Sequence, residues 1–60
     1  MNERVIRIVE EKKSRGILFQ IAETQYEFGR HYVLVINGEQ GFHSTDLERV
    51  QNYMNRMIID

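Results

Sequence analysis

The chain has 60 residues, no Cys, and a net charge of −1 from eight Lys and Arg against nine Asp and Glu. That length holds one hydrophobic core, so a single domain over residues 1–60 is expected. The lack of Cys excludes a disulfide framework and a thiolate metal cage, and the balance of charge lacks the basic excess of a dedicated phosphate-gripping protein.

At 42% hydrophobic and 28% charged the chain is too apolar for a disordered tail. Its opening, MNERVIRIVEEKKS, has no long uncharged apolar run, so it reads as neither a signal peptide nor a membrane span. A cytoplasmic location is the default expectation. A domain of this size buries only about 60% of the surface its unfolded chain exposes. Disulfides, metals and partner chains are the usual supplements, and without Cys a partner chain is the one expected.

Arg4–Glu11 is rich in β-branched residues and too short for a helix, which predicts a first strand. Lys12–Gly16 then supplies charge, Ser and Gly, as a hairpin loop should. In Ile17–Glu23 the residues Ile17, Phe19 and Ile21 alternate with Leu18, Gln20 and Ala22, the pattern of a half-buried strand. Tyr26 and Phe28 extend either this strand or the next, and Gly29 marks a bend or bulge. His31–Ile36 is the third strand.

Asn37-Gly38 follows as a tight-turn signal, because both residues tolerate positive φ. A short fourth strand over Gln40–His43 is an open alternative, since Gly41 interrupts it. Thr45 and Glu48 fit a capping box, which predicts a helix starting at or next to Thr45. Its apolar stripe is Leu47, Val50, Met54, Met57 and Ile58, while Gln51, Asn52, Asn55 and Arg56 fill most of the other side. The expected fold is α+β: a three-stranded, or with Gln40–His43 four-stranded, antiparallel meander with one C-terminal helix on one face.

One helix covers one face of a small sheet, so the other face needs an account. With Ile6, Ile8, Ile17, Phe19, Ile21, Tyr32, Leu34 and Ile36 toward the helix, a period of two sends Val5, Arg7, Val9, Leu18, Gln20, Ala22, Val33 and Val35 outward. Such a face is mostly apolar where a solvated one reads polar. A homodimer or protein-partner contact is therefore expected through Val5, Val9, Leu18, Val33 and Val35, with Tyr26 and Phe28 as aromatic anchors at one end. An exposed edge strand is the other route to the same association.

Other motifs read as structure. The glycines of NGEQGFHST are spaced G-x-x-G with no Lys after them, and Glu39, Asp46 and Glu48 would repel a phosphate, so the loop is a turn and a helix cap. His31 and His43 are the only histidines and lack the further ligands of a zinc site. Ser44 beside His43 has no assignable orienting acid, and so small a chain has little room for a pocket that shifts a carboxylate pKa. No catalytic, cofactor or metal residue is expected, and the chain reads as non-enzymatic.

Lys12, Lys13 and Arg15 form a basic hairpin tip, with Arg7 on the strand before it. The β-β-β-α order is similar to that of a plant family of DNA-binding domains and of the amino-terminal domains of some transposon integrases. That resemblance of topology implies DNA reading through the sheet. Those domains carry Arg and aromatic residues on the open face, whereas here that face is mostly Val, Leu and Ala. The leading expectation is a small protein-interaction module of the kind common among bacterial accessory and phage-encoded inhibitors. A DNA-binding regulator using Arg7, Lys12, Lys13 and Arg15 is the alternative.

Overall fold

The computed structural model describes residues 4–26 and 29–59, with Tyr26 and Ile59 as backbone only. Strands β1 (Arg4–Ser14), β2 (Ile17–Tyr26), β3 (Gly29–Ile36) and β4 (Glu39–Ser44) precede helix α1 (Leu47–Ile59). The strands form one four-stranded antiparallel sheet in the order β1-β2-β3-β4. The fold is α+β as expected, and the fourth strand forms.

Two-residue turns fix the outer registers. Asn37 and Gly38 take φ of 50° and 86°, the left-handed pair of a tight hairpin turn. Asn37 also extends the β2–β3 ladder: its N–H donates to the Leu18 carbonyl at 2.8 Å, and its side-chain oxygen accepts from the Leu18 N–H at 3.0 Å. At the first hairpin the turn is Arg15-Gly16, with φ of 54° and 79°. Lys12 and Lys13 therefore lie inside β1, opposite Phe19 and Leu18, and only Arg15 of the expected basic tip sits at the turn. Their charge suggested a loop, but an edge strand keeps long charged side chains in water without leaving the ladder.

β1 departs from simple alternation. Thr24 and Glu23 are consecutive on β2, yet they pair with Val5 and Arg7; Ala22 and Ile21 pair with Ile8 and Glu10. Ile6 and Val9 are thus the extra residues of two bulges, each of which shifts the strand's phase by one. Arg7, Glu10 and Lys12 come to the helix side, opposite Glu23, Ile21 and Phe19, and Ile8 goes to the other side opposite Ala22. This reverses the expected placement of Arg7 and Ile8.

The core is Phe19, Ile21, Leu34, Val50 and Met54, with Tyr32, Ile36, Phe42, Leu47 and Ile58 packed around it. Of the expected helix stripe, Met57 stays exposed, because it sits at the margin of the apolar arc that Met54 centres. The helix starts one residue later than the Thr45 capping box implies. Asp46 is the cap: its Oδ1 accepts from the Glu48 N–H at 3.0 Å and its carbonyl accepts from Arg49 N–H at 3.1 Å, while its own N–H donates to Ser44 Oγ. Two bonds then tie α1 to β1 across the sheet, Gln51 Nε2 to Glu10 Oε1 at 3.1 Å and Lys12 Nζ to Asn55 Oδ1 at 3.0 Å.

Candidate interaction surface

Register assigns the face opposite α1 in rows that run across the strands. One row is Val5, Thr24 and His31; the next is Ile8, Ala22, Val33 and His43; then come Glu11, Gln20, Val35 and Gln40; Lys13 and Leu18 close the face. The face is apolar toward the start of β1 and polar toward its end. Gln20 Nε2 donates to Glu11 Oε1 at 3.0 Å, which makes the β1 and β2 members of the third row a solvated polar pair.

Exposure separates the expected contact residues. Val5 is 58% exposed, whereas Val33 is 3% exposed and forms the floor of the face with buried Ala22, Thr24 and His31. Leu18 and Val35 are half-buried, and so is Val9, the extra residue of the second bulge. The side chain of Tyr26, and Phe28 altogether, lie outside the described residues. Ile8, 46% exposed beside Ala22, belongs to this surface, whereas strict alternation assigns it to the helix side. Ile6 is also exposed, so the start of β1 carries three accessible aliphatic side chains, Val5, Ile6 and Ile8.

The two histidines, far apart in sequence, meet on this face. His31 and His43 lie on neighbouring strands with ring centroids 5.3 Å apart, edge to face. The pairing of Val33 with His43 places them diagonally across the β3–β4 ladder.

The four cations of the basic set do not converge. Arg7 and Lys12 are on the helix side, Lys13 is on the opposite face, and Arg15 is at the turn. Lys12 is further engaged by Asn55 and, at 3.5 Å, by Glu10. Arg7 instead joins a cluster that sequence reading missed. The buried Glu23 carboxylate accepts from Arg7 Nε at 2.7 Å on one oxygen and from Arg30 Nη1 at 3.2 Å on the other. The hydrogen bond from Arg7 is the main cause that holds the Glu23 carboxyl below the usual range, against a burial effect in the other direction, and the same bond raises Arg7. Only the sheet register, which puts Arg7 opposite Glu23, reveals this arrangement.

No described helix is long and apolar enough to cross a membrane. No known protein family, curated protein or solved structure matches the chain.

Proposed function

We propose that the chain is a cytoplasmic, non-enzymatic protein-interaction module that pairs with a second copy of itself through the sheet face opposite α1. The observation that carries this reading is the exposure of Val5 and Ile8 on that face, next to a buried apolar floor of Ala22 and Val33. Pairing two such faces would remove the exposed Val5 and Ile8 side chains from water, a gain of roughly 25 cal/mol for each Å² of apolar surface. Face pairing is favoured over strand pairing because both outer strands, β1 and β4, carry register irregularities that spoil a continuous edge ladder. A host-enzyme or other protein partner, as accessory and phage-encoded inhibitors have, would use the same face. The DNA-binding alternative has less support, since its cations point to opposite sides of β1.

Light scattering coupled to size-exclusion chromatography over a range of concentrations tests the reading. The expected result is a dimer that dissociates on dilution, and a monomer at all concentrations for Ile8→Glu, because the new charge would be buried unpaired in the contact. Glu39→Lys, exposed on the helix side of the sheet opposite Ile36, should leave the dimer intact. A wild-type monomer throughout, or a dimer that survives Ile8→Glu, overturns the proposal.

A further inference from the structure

The outer side of α1 carries a second, polar stripe. Arg49, Asn52, Tyr53 and Arg56 are spaced i, i+3, i+4 and i+7, so they share one helix face, away from the buried Val50 and Met54. Beside this stripe Phe42 of β4 stacks on Tyr53, with ring centroids 4.4 Å apart and planes 2° from parallel. Phe42, Arg49, Asn52, Tyr53 and Arg56 together line an open cleft of about 350 Å³.

We propose that this cleft binds a nucleoside phosphate, with the base stacked on Tyr53 and phosphate held by Arg49 and Arg56. Three observations support it. Tyr53 is 43% exposed although Phe42 holds its ring in place, so it offers a fixed aromatic shelf at little entropic cost. Arg49 and Arg56 make no ion pair among the described residues, and no acidic residue lines the cleft. Two turns of helix separate the guanidinium stems by about 10 Å along the axis, with Tyr53 and Asn52 between them, so a ring and its phosphate can be engaged together. Asn52 brings a donor and an acceptor to the edge of the base. The volume is at the small end of ligand sites, suited to one nucleotide unit.

That unit can arrive free or as part of a single strand, and its chemistry at the cleft is the same. The cleft belongs to the helix layer and the dimer contact to the opposite sheet face, so the two proposals stand or fall separately.

The test is a nitrogen-15 NMR titration of the full chain, with adenosine triphosphate, a single-stranded oligoadenylate and tripolyphosphate as probes. Shifts should centre on Phe42, Arg49, Asn52, Tyr53 and Arg56 for the first two probes. Tyr53→Leu should weaken binding at least about tenfold, the loss of one base stack. Arg49→Gln with Arg56→Gln should weaken it further and flatten its salt dependence. Tyr53→Phe keeps the shelf and should bind like the parent, which guards against a folding artefact. Tighter binding of the oligoadenylate at equal nucleotide concentration identifies a single strand as the source, and tighter binding of adenosine triphosphate identifies the free nucleotide. The proposal is overturned if neither probe shifts these residues, if tripolyphosphate matches adenosine triphosphate and Tyr53→Leu changes nothing, or if the shifts fall on the sheet face.

Discussion

Arg7 Nε donates to Glu23 Oε1 at 2.7 Å across the β1–β2 pair, joining a guanidinium that is largely in water to a carboxylate that is 4% exposed. Arg30 takes the second oxygen from the other side, so the buried acid is bridged by cations from both neighbouring strands. Removing one partner of such a group costs more than the contact itself is worth, because the remaining charge is left poorly solvated.

The folded-state pKa of Glu23 is lowered, mainly by the Arg7 hydrogen bond, so its contribution to stability is present above the unfolded glutamate value. It is lost as pH falls through the folded value. Thermal melts from neutral to acid pH should show the midpoint dropping in that window, and Glu23→Gln should flatten the drop while lowering stability at neutral pH. An unchanged acid profile in Glu23→Gln would assign the acid sensitivity to other carboxylates.

Met54 is fully buried at the centre of the core, and Met54→Ala should cost about 2–5 kcal/mol from lost transfer energy and a cavity. A domain of this size has only about 3–9 kcal/mol to lose. Urea unfolding should show a large fall in the midpoint for this variant. Met54→Leu, which conserves volume, should cost less than about 1.5 kcal/mol, and Met57→Ala at the exposed margin less still.

Asn37→Ala removes the oxygen that accepts from the Leu18 N–H and leaves an ordinary side chain at φ of 50°. A lost hydrogen bond of about 1 kcal/mol and a left-handed backbone cost of about 1 kcal/mol should together lower stability by about 2 kcal/mol. Thermal melts would read this as a midpoint fall of about 4–8 °C per kcal/mol. Asn37→Gly should recover part of the loss, since glycine removes the backbone cost alone.

The helix cap gives a pair of contrasting variants. Asp46→Ala should cost about 1 kcal/mol by freeing the Glu48 N–H, whereas Thr45→Ala should stay within about 0.5 kcal/mol. Equal effects in denaturant titrations would mean that the cap is shared between the two residues.

β2, β3 and α1 could be read from sequence because each keeps one period throughout. The alternation of Phe19 and Ile21 with Leu18 and Gln20, and the spacing of Leu47, Val50, Met54 and Ile58, translate directly into the observed core. β1 could not be read in the same way. An inserted residue leaves no mark in composition, so Ile6 and Val9 look like any other strand positions; the first bulge reverses the inference for Arg7 and Ile8, and the second restores it from Glu10 onward. The cap falls on Asp46, next to Thr45: both are good capping types, and only geometry chooses between them. The Glu23 cluster and the Phe42–Tyr53 stack depend on contacts between elements distant in sequence, which a local pattern does not carry.

The bulges also make insertion and deletion unequal along the chain. Deleting both Ile6 and Val9 would let β1 close into a regular ladder with each remaining residue still opposite its present partner. Deleting a residue from the middle of β2 would instead turn half of its core-facing side chains to the wrong layer. A protein shortened at Ile6 and Val9 would keep its faces and its core but acquire a continuous outer strand, an edge on which a second copy could add its own β1. Two residues that contribute no pairing of their own thus help to keep one edge of the sheet closed to strand addition.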